Sequence, residues 1–209
     1  MANANIRLHS GDLSDEVMDH YTGDVAIDCE TLGLNPHRDR LCVVQLSPGD
    51  GTADVVQISS GQKKASNIVK LLRDRKKRKI FHYGRFDIAV LQHTFSVTTN
   101  PVFCTKIASK LTRTYTDRHG LKDVTRELVG VDLSKQQQSS DWGAEKLSDA
   151  QLEYAASDVL HLHALMDAFN ERLEREGRTK EAEACFQFLP TRAKLDLMGW
   201  PDNDIFAHS

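Results

Sequence analysis

The sequence predicts an α/β domain with a mixed central sheet flanked by helices. Between Val25 and Ile58, three strand-like apolar segments follow one another across turn residues, which predicts an antiparallel meander. After Ile58 the apolar period lengthens to that of a helix. Short apolar strands at Ile80–Tyr83 and Val102–Cys104 then alternate with helical segments. A meander followed by such alternation packs as one sheet covered by helices. The 209 residues suit a single domain, 1–209, with a helical C-terminal extension over about 166–209.

In chain order, Ile6 to Asp12 reads as a short strand or extended lead-in, and Ser14 as the N-cap of a short helix carrying Val17 and Met18. The first meander strand opens at Val25 and ends in Asp28-Cys29-Glu30. Thr31 to Pro36 is a turn, and His37 to Arg40 faces solvent. Leu41–Ser47 is the second strand, Pro48-Gly49-Asp50-Gly51 a hairpin turn, and Ala53–Ile58 the third strand. Ile68, Leu71 and Leu72 have helical spacing, and that helix runs into Arg73–Lys79. The strand Ile80–Tyr83 leads to a helix carrying Phe86, Ala89, Val90 and Leu91, and Val102–Cys104 to one carrying Ile107, Ala108 and Leu111. Gly120 to Gly130 is an amphipathic helix stopped by its last glycine. The polar stretch Lys135–Ser140 leads to Asp141-Trp142. Ser148 then caps one long helix through Leu152, Ala155, Ala156, Val159, Leu162 and Leu165. A charged helical segment follows from Glu171. Leu189 to Ser209 is expected to seal the domain's own core.

A formal net charge of −3 does not mark a nucleic-acid binder, so any basic surface must be local. Cys29, Cys42, Cys104 and Cys185 are scattered, which argues against a zinc ribbon or disulfide framework and fits a reducing cytosol. The start, Met1 to Asn5, lacks the pattern of a signal peptide, and no apolar run has membrane-span length. The expectation is a cytoplasmic protein with no membrane partner.

Candidate chemistry lies in the acids. On a strand, Asp28 and Glu30 project to one face. At the tip of a buried strand they would repel each other unless a hard divalent cation joined them, although a solvated strand end fits the pair equally well. Asp87 stands at a helix start just beyond the strand Ile80–Tyr83, at the strand exit where ligands of α/β folds bind. Tyr154 and Asp158, at i and i+4, share one helix face, and the small residues Ala155, Ala156 and Ser157 let that helix approach the sheet closely.

The order Asp28-x-Glu30, then His82-Tyr83-Gly84-Arg85-Phe86-Asp87, then Tyr154-x-x-x-Asp158 resembles the DEDD superfamily of 3′–5′ exonucleases. The tyrosine marks its DEDDy branch, and the resemblance is strongest to ribonuclease D. It includes Leu41–Leu46, Lys135–Trp142 and Leu152–Val159, and covers roughly Gly23 to Leu165. It implies a ribonuclease H-like fold and two Mg²⁺ or Mn²⁺ ions. Asp28 would bridge them, Glu30 and Asp158 would complete the nucleophile-side site, and Asp87 would hold the second ion through water. Tyr154 would orient the attacking water, since a phenol is a poor base at neutral pH. The implied activity is a 3′–5′ exoribonuclease that releases nucleoside 5′-monophosphates from RNA 3′ ends, such as transfer RNA precursors. An exonuclease acting on DNA, or an inactive nucleic-acid-binding module, are the alternatives. The chain stops short of the helical nucleic-acid-binding domains of longer ribonuclease D proteins.

Implied substrate contacts are Leu32 and Gly33 as a wedge, and His82, where many members carry asparagine. Arg113, Arg118, His119 and Lys122 would meet phosphate, and Trp142 could stack on a base but reads more as a packing anchor. The run Arg73–Lys79 lies at the wrong end of its strand, on the order of 20 Å from the acids, and reads as a solvated helix end. Phe86 reads as core, and His161 and His163 as surface or satisfied histidines.

Overall fold

Strand and helix propensities resolve into one six-stranded sheet of order β1-β4-β3-β2-β5-β6. The computed structural model describes residues 5–134 and 136–208; Lys135, the start of the polar stretch, lies outside them, as do Met1–Ala4 and Ser209. The strands are β1 (Asn5–Ser10), β2 (Val25–Thr31), β3 (Leu41–Ser47), β4 (Thr52–Gln57), β5 (Lys79–Phe81) and β6 (Val102–Cys104). The helices are α1 (Asp15–Met18), α2 (Ser66–Arg73), α3 (Gly84–Phe95), α4 (Thr105–Thr112), α5 (Leu121–Leu128), α6 (Asp149–Leu160), α7 (Leu162–Arg175) and α8 (Thr179–Leu197).

β2, β3 and β4 form the expected antiparallel meander, while β1 joins β4, and β5 and β6 join β2, in parallel. Every residue of β3 is buried, because α6 covers one face of this part of the sheet and other side chains fill the second. β5 is short and pairs only with Val25 and Ala26 of β2. The acid-bearing half of β2 therefore runs past the end of its parallel neighbour, into the crevice where ligands of such sheets bind.

Three local departures have physical reasons. The single long helix is two helices, interrupted at His161, whose ψ of −1° leaves the helical range. The basic run is a solvated helix end only in part. Lys79 is fully buried, and its Nζ donates to the carbonyls of Asp74 (2.6 Å), Lys77 (2.7 Å) and Asn100 (2.8 Å). Arg78 pairs with Asp24, leaving Arg73, Arg75 and Lys76 exposed. Finally, α8 seals the core through Ala182, Phe186, Leu189, Pro190 and Ala193, with Phe186 packed on Phe103 at 4.7 Å. The residues after α8 do not follow, and Met198, Trp200, Ile205 and Phe206 are exposed.

β1 is anchored by charge. Asp54 of β4 is completely buried and accepts from Arg7 Nε (2.7 Å) and Nη2 (2.8 Å), from Tyr21 Oη (2.6 Å), and pairs with His9 Nε2 (2.7 Å). Asp54→Ala leaves the buried phenol and the guanidinium without their acceptor. It should lower unfolding free energy by about 3 kcal/mol, at the low end of the range because Arg7 keeps some solvent contact. Urea titration checks this, with the midpoint expected to fall and the slope to stay constant.

Candidate active site

Three elements deliver four carboxylates to one place. β2 presents Asp28 and Glu30 on one face, α3 presents Asp87, and α6 presents Asp158. Each placement has a local cause. Tyr83 adopts the left-handed conformation (φ 68°, ψ 36°), which turns the chain directly from β5 into α3. The next residue must be glycine, since a Cβ on Gly84 would stand 2.7 Å from Phe81 Cβ. On α6 the small Ala155 and Ala156 are buried against the sheet, which brings Tyr154 and Asp158 close to β2. Ser148 and Gln151 close a capping box at the start of that helix.

Oxygens of Asp28, Glu30 and Asp158 lie within 4.8 Å of one another. Asp87 is buried and sits beside Asp28 and Cys29, outside that triplet. Among the described residues none of the four carboxylates has a salt-bridge partner. Burial, and then the charges of Asp87, Asp158 and Glu30, raise Asp28 well above the carboxylate range. Burial, then Asp158 and Asp87, push Glu30 up to about 9; burial, with Asp158 and against hydrogen bonds from the backbone, pushes Asp87 to about 8; and burial pushes Asp158 to about 7. Burial, followed by Asp158, Glu30 and Asp28, also raises Tyr154, so its hydroxyl keeps its proton. The donor set is all oxygen, convergent and uncompensated, and so fits Mg²⁺ or Mn²⁺.

These groups line a cavity of about 290 Å³. Of the other sequence-derived candidates, His82 and Lys122 line it. His82 bonds Thr105 Oγ1 through Nδ1 (2.8 Å), and burial with Lys106 nearby pushes it down to about 3. Phe86, read as core, reaches the cavity too. Arg113 is a correction. It is 2% exposed, paired with Glu127 and bonded to Ser109 Oγ, so it braces α4 against α5 and cannot meet phosphate. Trp142 is the packing anchor, the favoured of its two readings, and not a stacking surface. It is 2% exposed and packs 5.9 Å from the Tyr154 ring. Leu32, Gly33, Arg118 and His119 lie outside the described lining. His119 bonds Ser109 Oγ, and Gly33 leaves space that Asp39 fills. Lys106, Tyr83, Ser134 and Gln138 line the cavity and escaped sequence reasoning. Lys106, just past the exit of β6, was findable by the strand-exit rule that found Asp87.

A family model described as a 3′–5′ exonuclease matches residues 10–174. The chain belongs to this 3′–5′ exonuclease family. Ribonuclease D of Granulibacter bethesdensis is 34% identical over 154 residues, 74% of this chain and 38% of that protein. The chain thus spans about two fifths of the curated relatives it matches. Among solved structures, Brucella melitensis NrnC is 71% identical with a TM-score of 0.96, covering 98% of this chain and 99% of that one. The same protein has been solved with bound Mg²⁺ (69%, TM-score 0.94, covering 98% and 100%) and bound to pGG (69%, TM-score 0.96, covering 99% and 100%). Escherichia coli RNase D, 23% identical, shares the fold (TM-score 0.78, covering 91% of this chain and 51% of that one). The 3′–5′ exonuclease domain thus has the ribonuclease H-like fold that the sequence predicts.

The raised acids set a stability profile. Their folded-state values exceed the unfolded ones, so the fold binds these protons more tightly, and the stability they contribute is complete below the unfolded values. It is lost as pH climbs through about 7 to 9. In EDTA, the melting temperature should therefore fall from pH 5.5 to 9. Added Mg²⁺ or Mn²⁺ should restore more of it at the upper end, where the ligands are deprotonated. A flat metal-free profile in differential scanning fluorimetry would contradict this crowding.

Proposed function

We propose that this chain is a divalent-metal-dependent 3′–5′ exoribonuclease that hydrolyses short RNA to nucleoside 5′-monophosphates. The observation that carries the reading is the convergence of Asp28, Glu30 and Asp158 within 4.8 Å, with Tyr154 one helical turn from Asp158. Asp28, Glu30 and Asp158 would hold one ion, and Asp87 with Asp28 a second. Bound there, Mg²⁺ or Mn²⁺ polarises the phosphate, favours deprotonation of the attacking water and stabilises the leaving oxygen.

The protein's own groups account for the rest. Tyr154, held protonated beside Asp158, donates a hydrogen bond that orients the nucleophilic water, a role that needs no ionisation. Lys106 and Lys122, in the same cavity, offset the phosphate charge that the four acids would otherwise repel. His82, kept neutral by burial, hydrogen-bonds substrate without adding charge. Leu32, Gly33, Arg118 and His119, outside the cavity, are weaker candidates. The pGG bound by a relative 69% identical over nearly the whole chain supports short RNA over transfer RNA precursors. The latter rest on relatives that the chain spans only in part. Single-domain organisation through α8 and a cytoplasmic location, supported by four free cysteines, belong to the same proposal. Among the described residues no helix is long and apolar enough to cross a membrane.

The test is degradation of 5′-labelled short RNA and matched DNA with Mg²⁺, Mn²⁺ or EDTA. Metal-dependent shortening from the 3′ end, faster on RNA, is expected. Asp28→Asn should cut turnover on the order of 10²–10³-fold while RNA binding persists. Shortening confined to DNA would reassign the substrate, and unchanged turnover in Asp28→Asn would overturn the metal-site reading.

A further inference from the structure

We propose that Gln151 is a positioning residue that holds Tyr154 in register through Trp142, an inference that rests on the orienting role given to Tyr154 above. Gln151 is the third residue of α6, and its side chain is buried. Its Oε1 accepts from Ser148 N (3.0 Å) and Ser148 Oγ (3.1 Å), which completes the capping box. That duty uses only the oxygen. The amide nitrogen donates to Ser140 Oγ (3.1 Å) and the Asp141 carbonyl (3.1 Å), so both of its hydrogens leave the helix for the preceding segment. A cap alone gives no reason for this second pair of bonds, and glutamate caps equally well.

What the second pair holds is the chain immediately before Trp142. The indole is buried, its Nε1 has no hydrogen-bond partner among the described residues, and its ring packs 5.9 Å from that of Tyr154 at 43°. Trp142 therefore owes its position to packing and to the backbone on either side of it. Downstream, Arg40 donates to the Gly143 carbonyl (3.4 Å) and Gln57 to the Ala144 carbonyl (2.7 Å). Upstream, Gln151 supplies the anchor. Gln151 and Tyr154 are three residues apart on one helix face, so the latch and the ring it steadies ride on the same turn. A phenol that orients a water must hold its oxygen within a fraction of an ångström, and a loose wall behind the ring would forfeit that precision.

Gln151→Glu separates the two duties. A carboxylate keeps the capping oxygen but turns an acceptor toward the Asp141 carbonyl, which opens the latch without uncapping the helix. In Gln151→Glu, kcat on a short RNA is expected to fall about tenfold with KM nearly unchanged. Tyr154→Phe should also lower kcat, and the double variant should be no slower than Tyr154→Phe alone, because the latch acts through the hydroxyl. In a Trp200→Phe background the sole tryptophan is Trp142, and its emission should shift to longer wavelength when the latch opens. Should the carboxylate prevent folding, Gln151→Met, similar in volume and uncharged, removes latch and cap together. It is then compared with Ser148→Ala, which removes the Ser148 half of the cap but keeps the latch. Only the former is expected to lower kcat about tenfold, and equal losses in the two would overturn the latch. Multiplicative losses in the double variant, or an unchanged kcat in Gln151→Glu, would overturn the latch and leave Tyr154's role standing. Wild-type turnover in Tyr154→Phe would remove the orienting role itself, and the latch with it.

Discussion

Like charges confined in low dielectric are the constraint on which this molecule is built. Four carboxylates meet at the end of β2 with no salt-bridge partner among the described residues, and each is held in a protonation range foreign to carboxylic acids. A fold tolerates such a cluster only if binding compensates for it and the surrounding packing leaves the acids no room to separate. Here the packing comes from every side. β3 and α6 press on β2, Gly84 brings α3 hard against β5, and Ala155 and Ala156 bring α6 down onto the sheet.

Other buried charges show the opposite treatment, and the contrast is instructive. Asp54 is buried more deeply than the clustered acids, yet it collects a guanidinium, a phenol and an imidazole. Lys79 is buried and satisfied by three carbonyls, and Arg113 by Glu127 and Ser109. Where charge serves the fold, it is paired and its hydrogen bonds are filled. Where it serves chemistry, the pairing is left to a ligand.

The two kinds of charge also mark what could be read in the sequence. Asp28 with Glu30, and Tyr154 with Asp158, were legible because strand and helix periods dictate their common faces. Asp87 followed from strand-exit geometry. Turn chemistry placed the meander, and Ser14 and Ser148 were visible as caps. The errors concern long polar side chains. Sequence reading assigns Arg113 to substrate phosphate and Lys79 to solvent, and only tertiary contacts show that carboxylate and carbonyls surround them. Trp142, favoured as a packing anchor, sits in a small secondary core with Cys42, Val43, Val55, Leu147 and Ala155, whose members come from strands and a helix far apart in the chain and so were not readable together. The interruption at His161 was hidden for the same reason, because apolar spacing continues straight through it.

A cluster that strains its own fold also biases what selection can find. Neutral substitutions at Asp28, Glu30, Asp87 or Asp158 relieve repulsion and cost little packing, so under the proposed metal-site reading they belong to the class of changes that raise stability and abolish function. A library screened for heat resistance in the presence of a chelator would fill with such variants. The same library screened with magnesium would discard them. For this exonuclease, the choice of buffer decides whether laboratory evolution yields a sturdier enzyme or an inert shell.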